Sequence, residues 1–208
     1  MKQLFLIMAI LFFGLFFVGC EAETVVDAEQ DVVVPLTVDT LTTPDTNSEP
    51  IYFSFSKGDT ISIADPENST EWDIAMQRTT VWVNSGTSGP GVGGAAWIEG
   101  ANFEDVKQLP DPIDFAIDDT LSTTGSAFAI PTGTGNGWYN YTFGPNHWIL
   151  AIEDRVFFIR TADGNYAKVK FLSYYSNGKP PEEPLQTDSG YYTFTYFYQP
   201  NGTGVFED

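Results

Sequence analysis

From Ile51 to Tyr198 the chain repeatedly alternates apolar and polar residues in short runs, and this period of two is what most constrains its fold. Successive side chains of a strand point to opposite faces, so such runs read as half-buried β-strands. "IYFSFS" and "TISIA" flank Lys57-Gly58-Asp59 and predict a hairpin. "WDIAMQRTTVWV" reads as one long strand, with Trp72, Ile74 and Met76 on one face and Ala75, Thr79, Val81 and Val83 on the other. Further strands are predicted at "WYNYTF", "HWILAI", "RVFFIR", "YAKVKFLSYY" and "YYTFTYFY", and "VVVPLTVDT" supplies a first one. "TADGN" places Asp163-Gly164 as a type I′ turn between two of these runs. "ANFEDVKQLP" reads as one short helix, with Asn102 as N-cap and Pro110 closing it. Aromatic residues make up 15% of the chain, which favours strands over helices. The expected fold is a single all-β domain of antiparallel sheets and hairpins, with at most a short helix.

The first residues have a different grammar. "MKQLFLIMAILFFGLFFVGC" has one lysine, an apolar run from Leu4 to Val18, then Gly19-Cys20. That order describes a secretory signal, and the run is too short for a comfortable membrane span. Cys20 is the only cysteine and stands where a bacterial lipoprotein signal carries its lipidated residue. We therefore expect residues 1–19 to be removed, Cys20 to be lipidated, and the chain to sit on the outer membrane or cell surface through that anchor. Residues 21–31, "EAETVVDAEQD", carry five acids and no base, so 20–31 read as a solvated tether and 32–208 as the folded domain.

Charge and residue inventory then remove function classes. A net charge of −19, from 28 acidic against 9 basic residues, repels polyanions, so no nucleic-acid partner is expected. Gly89, Gly91 and Gly94 match G-x-G-x-x-G, but no helix is readable after them to present amides to a pyrophosphate. Asp65, Glu67, Ser69, Glu71 and Asp73 alternate like a calcium loop, yet the required glycine is missing at position 70 and Met76 stands where the last glutamate belongs. With His147 the only histidine and Cys20 assigned to lipid, neither a Ser-His-Asp triad nor a His/Cys zinc site is expected. No acidic pair stands out for hydrolysis. The expectation is a binding protein without catalysis.

"YFSFSKGD", "EWDIAMQR", "VNSGTSGPGVGGA", "GWYNYTFGP" and "RVFFIRTADGNYAKVKF", in this order and followed by "YYTFTYFY", resemble the HmuY family of haem-binding lipoproteins of Bacteroidetes-type bacteria. The resemblance implies an all-β domain whose hairpin fingers grip haem, or a related tetrapyrrole, and deliver it to a TonB-dependent outer-membrane receptor. In the family's best-known member two histidines, one on each of two fingers, coordinate the iron. One precedes the Gly-Pro of the finger that resembles "GWYNYTFGP", and the matching residue is Phe143. The other belongs to a finger shortened to "LSTTGSAFAIPTGTGNG", which has no histidine, methionine or tyrosine.

The remaining ligand candidates follow from residue type. His147 lies three residues past Gly144 and is the candidate metal ligand, because haem iron accepts a single proximal histidine with its sixth position open or filled by another group. Tyr139, Tyr141, Phe143 and Trp148 offer flat apolar surface for a porphyrin. Met76 is the one methionine beyond the signal and a further candidate, although pattern sets it within a strand. Against these stands the plainer reading of His147 as a solvated residue that opens the strand "HWILAI".

Overall fold

The computed structural model describes residues 38–119, 128–179 and 188–207. The expected signal peptide, Cys20 and the tether lie outside the described residues, as does the first part of "LSTTGSAFAIPTGTGNG".

Eleven strands form among the described residues, all paired antiparallel. In chain order they are β1 (Val38–Thr42), β2 (Ile51–Ser54), β3 (Asp59–Ile61), β4 (Ile74–Gln77), β5 (Thr80–Val83), β6 (Gly94–Glu99), β7 (Tyr139–Tyr141), β8 (Ile149–Ala151), β9 (Arg155–Arg160), β10 (Tyr166–Tyr175) and β11 (Ser189–Gln199). They build a five-stranded sheet ordered β1-β11-β10-β9-β6, a four-stranded sheet ordered β3-β2-β4-β5, and the small hairpin β7-β8. Among the described residues only two three-residue 3-10 turns interrupt this all-β arrangement, Pro66–Asn68 and Phe103–Asp105.

One core joins the two large sheets. Phe53, Ile74, Met76, Val81 and Val83 come from the four-stranded sheet, and Phe157, Ile159, Val169, Phe171 and Phe194 from the five-stranded one. Phe53 packs edge-on against both Phe194 and Tyr196, at ring distances of 5.2 and 5.4 Å, a preferred aromatic geometry. The other face of the five-stranded sheet is covered too: Val156, Phe158 and Phe197 meet Phe103, Val106 and Phe206 in a second cluster. Burial on both faces explains why "RVFFIR" is an uninterrupted apolar run where the other strands alternate.

The segment read as one long strand is a hairpin. Ile74 pairs with Val83 and Met76 with Val81 across β4 and β5, and the two-residue connection is Arg78-Thr79. Reversing the chain there brings Ile74, Met76, Val81 and Val83 to the same core. Arg78 sits at φ +49°, unusual for a residue with a side chain. Tertiary contacts impose the reversal: Tyr192 Oη donates to the Arg78 carbonyl at 2.6 Å, and Trp138 Nε1 donates to the Thr79 carbonyl at 3.0 Å.

The short helix expected over "ANFEDVKQLP" reduces to the 3-10 turn Phe103–Asp105. Asn102 uses its amide on the Asp105 carboxylate and makes no side-chain cap. Buried Lys168 explains the difference. Its ammonium donates to the carbonyls of Phe103 and Val106 at 2.7 and 2.8 Å, and it lies 4.3 Å from the Phe103 ring centre. Leu109 N donates to Gly204 O and Phe206 N to Lys107 O, so the segment pairs with the C-terminal residues instead of with itself.

The "TADGN" hairpin is present, but its turn is not type I′. Positive φ occurs at Gly164 (+93°) and not at Asp163. Gly164 N donates to Thr161 O and Thr161 N to Asn165 O, two bonds that close a three-residue loop ending in a positive-φ glycine. The glycine loop likewise has no helix after it, since Gly94 opens β6. Its glycines let backbone pass close to Asn84: a Cβ on Gly93 would lie 2.6 Å from the Asn84 carbonyl oxygen.

Candidate ligand-binding finger

The hairpin β7-β8 is the finger that carries His147. Tyr139 pairs with Ala151 and Tyr141 with Ile149; beyond that ladder Thr142 N donates to Trp148 O, and Trp148 N to Thr142 Oγ1, both at 2.9 Å. Residues 143–147 form the tip, which includes the cis Gly144-Pro145 peptide. His147 therefore precedes the strand, in the turn itself, at φ +54°.

The base of the finger is fastened to the sheets. Ile149 N donates to Tyr175 Oη at 2.9 Å, and burial pushes the Tyr175 phenol above its ordinary pKa. Tyr141 N donates to Thr134 Oγ1 at 2.8 Å. The Arg155 guanidinium, buried over the Trp97 ring, donates to the carbonyls of Gly135 and Gly137 and pairs with Glu99. Trp138, at the start of the finger, is fully buried among Tyr139, Phe171, Tyr174 and Tyr192.

At the tip the candidate side chains separate into two sets. Tyr141, Phe143 and His147 come together: Phe143 sits edge-on to Tyr141 at 5.1 Å, and the Tyr141 hydroxyl meets His147 Nδ1 at 2.5 Å. Phe143 is 77% exposed and His147 is exposed, while Tyr141 and Trp148 are half-buried. Trp148 Nε1 is buried without a hydrogen-bond partner. Tyr139, by contrast, points into the core beside Trp138 and supports the finger from beneath.

Met76 does not join this group. It is fully buried at the centre of β4 among the core side chains, because the β4-β5 reversal puts its face inward. Its thioether has no surface on which to meet a ligand, so it leaves the candidate set. Tyr175 is a supporting residue that the alternation of β10 did not single out: its hydroxyl, not its ring pattern, gives it a part in the site.

Two buried carboxylates are also structural. Asp73 Oδ2 accepts from Phe55 N at 2.8 Å and Oδ1 from Ala162 N at 2.9 Å, and burial raises its pKa to about 6. Asp118 accepts from Val83 N and Ala129 N at 3.1 and 2.7 Å, and burial raises it too. Asp73 ends the series that alternates like a calcium loop, and both of its oxygens are occupied by backbone donors. Among the described residues no group of three or more His, Cys, Asp or Glu side chains is placed to hold a metal ion.

A two-sheet antiparallel β domain bearing a short aromatic hairpin with one presented imidazole has the architecture of a binding scaffold. The HmuY protein family matches residues 47–196, and the chain belongs to that family. Among solved structures, the apo HmuY analogue (TFO) of Tannerella forsythia is similar at 18% identity and a TM-score of 0.54, over 82% of this chain and 100% of that one. Apo PinO from Porphyromonas gingivitis is similar at 16% identity and a TM-score of 0.50, over 78% and 97% of the two chains. A candidate lipoprotein of Bacteroides fragilis is similar at 17% identity and a TM-score of 0.50, over 80% and 93%. At these identities the likeness is one of fold. No curated protein matches the chain. Among the described residues no helix is long and apolar enough to cross a membrane.

Proposed function

We propose that this chain is a non-catalytic haem-binding lipoprotein of the outer membrane or cell surface, anchored through Cys20 and tethered by residues 20–31, that passes haem or a related tetrapyrrole to a TonB-dependent receptor. The observation that carries this reading is the Tyr141-His147 pair at the exposed end of the finger. An imidazole that coordinates a metal through one nitrogen usually engages the other in a hydrogen bond that fixes its orientation. With Nδ1 against the Tyr141 hydroxyl, Nε2 is left to face a ligand.

The donor set fits haem on these terms. Bound haem supplies an iron with axial positions to fill. For Nε2 to coordinate, the proton of neutral His147 resides on Nδ1 and is donated to Tyr141 Oη. Phe143 and the half-buried Trp148 then offer apolar surface to the macrocycle. With one imidazole per chain, His147 alone would hold the iron from this chain as a histidine, and any second ligand would have to be a group of another kind.

An absorption titration of the full chain with haemin tests the reading. The expected result is a saturable Soret shift that His147→Ala abolishes, leaving weak association through Tyr141, Phe143 and Trp148. Identical titrations of the two proteins remove His147 as ligand. No spectral change with ferric or ferrous haem in either protein favours a second reading, a HmuY scaffold retained as an interaction module for another ligand or a receptor; the 77% exposed Phe143 at the position of a family histidine supports that alternative. The anchor has its own test: Cys20→Ser should end fatty-acid labelling and release the chain from membranes.

A further inference from the structure

A concavity that no finger residue lines lies on the side of the four-stranded sheet that faces away from the core. The registers place Tyr52 opposite Ala75 and Ala75 opposite Trp82, so these three residues form one row across β2, β4 and β5. Side chains directly opposite one another share a face of the sheet. Two aromatic rings therefore stand either side of a methyl group. Adjacent strands are about 4.8 Å apart, so the two ring-bearing positions are separated by about 10 Å, with the fully buried Ala75 as the floor between them.

The slot is built from fixed parts. Tyr52 is held edge-on by Trp72 at 5.3 Å, and Trp82 by Phe128 at 6.2 Å. Trp72 Nε1 is committed to the Pro66 carbonyl at 3.0 Å, and the Ser88 hydroxyl to Asp118. The concavity measures about 220 Å³, below the range of pockets that enclose drug-sized ligands, so it suits a head group and not a porphyrin. Its neighbour, of about 440 Å³, shares Pro50, Tyr52 and Pro66 with it.

Charge decides what the slot takes. Glu67 stands on its rim and Glu49 on the rim of the adjoining cleft, both exposed, and among the described residues no lysine or arginine lines either concavity. Burial first, then the Glu67 and Glu49 charges, raise the pKa of the Tyr52 phenol, which registers both carboxylates acting on this wall. Aromatic faces attract cations, and a net charge of −19 draws them toward the surface. The walls are the Tyr52, Trp72 and Trp82 rings with Thr87 and Ser88 beside them, and the indole N–H of Trp72 is already bonded. A trialkylammonium brings no N–H donors and spreads its charge over methyl groups, so the rings can receive it by face contact with the carboxylates left at the rim.

We propose that the Tyr52-Ala75-Trp82 slot binds the trialkylammonium head of a small organic cation, at a site separate from the finger. The test uses the full chain at low ionic strength and follows the Trp82 indole resonance during titration with choline and with its uncharged isostere 3,3-dimethylbutan-1-ol. The expected result is saturation by choline, with the isostere weaker by about tenfold or more. Trp82→Ala removes the choline response and Trp82→Phe retains much of it, which separates a lost wall from a lost fold. Combining Glu49→Gln with Glu67→Gln weakens choline by a similar factor and leaves the isostere unchanged. Equal binding of the isostere, preference for a lysine side-chain analogue or for a glucose oligomer, or absence of saturation would each overturn the proposal. None of these outcomes depends on haem.

Discussion

The Tyr192 hydroxyl on β11 donates to the Arg78 carbonyl in the β4-β5 turn at 2.6 Å, tying the centre of one sheet to the corner of the other. Tyr192 is fully buried, and burial together with the nearby Tyr174 and Tyr139 phenols drives its pKa well above the ordinary value. Tyr192→Phe keeps the ring contacts and removes only this donor. It should lower unfolding free energy by about 1–2 kcal/mol, the usual cost of leaving a partly buried carbonyl unpaired. Urea denaturation at neutral pH measures it, and an unchanged midpoint would show that the turn holds itself.

Asp73 gives the domain an acid-side pH dependence. Its carboxyl titrates at about 6 in the folded chain, above the ordinary 3.8, because burial outweighs the two backbone donors. The folded state thus binds the proton more tightly than the unfolded state, and the resulting stabilisation is lost as pH rises through about 6. Asp73→Asn cannot titrate and gives up one acceptor. The variant should be less stable throughout, and its deficit should widen as pH is lowered from about 7 to about 4. A deficit that stays constant over this window in matched denaturation curves counts against the assignment.

Lys168 acts on the alkaline side with the opposite sign. Burial, with Lys107 adding to it, lowers its pKa to about 8 from 10.5, although two carbonyls and the Phe103 ring receive the ammonium. Between those values the unfolded chain holds the proton more tightly, so Lys168 adds stability as pH rises from about 8 toward 10. Above about 10 the trend reverses, because Tyr174, Tyr196 and Tyr198 are raised to about 12 and the unfolded chain ionises first. Lys168→Met should flatten the rise between about pH 8 and 9.5 in thermal denaturation. A wild-type profile already flat there contradicts the lowered pKa.

Gly164 is the turn residue at which a side chain is costly. At φ +93° a β-branched residue is strained, so Gly164→Val should cost about 1–3 kcal/mol. Asp163→Gly distinguishes the observed turn from a type I′ turn. In the observed turn it removes the carboxylate that meets Thr161 and Asn165 and is destabilising, whereas a type I′ turn would tolerate or prefer glycine there. Chemical denaturation of the two variants side by side provides the comparison.

Strands whose own residues carry the instruction were readable before the structure. "RVFFIR" and "YAKVKFLSYY" coincide with β9 and β10 because β-branched and aromatic runs bounded by Asp163-Gly164 need no distant partner to be recognised. Arg78-Thr79 carries no such mark. Its reversal is set by Tyr192 and Trp138, which lie far along the chain, and local alternation therefore ran on through it. The finger was legible as a place, since Gly144-Pro145 and its flanking aromatics define a corner. Its chemistry was not: the Tyr141-His147 contact depends on how the tip folds back on Thr142 and Trp148. The Tyr52-Ala75-Trp82 row was hidden for a related reason, because it exists only once the registers of β2, β4 and β5 are fixed.

The strand order also governs when the domain can become complete. Among the described residues β1 pairs only with β11, Val38 against Phe197 and Thr42 against Thr193, so β1 waits for the last strand to be synthesised. Pairings this distant in sequence close slowly, since loop entropy must be overcome before any contact rewards it. Until then the hydrogen-bonding edge of β10 that β11 will occupy stays open, with Phe171 and Val169 lacking Phe194 and Tyr196 opposite them. Completion of the larger sheet is consequently the last event of folding, and a chain that stalls before Ser189 presents an aggregation-prone edge.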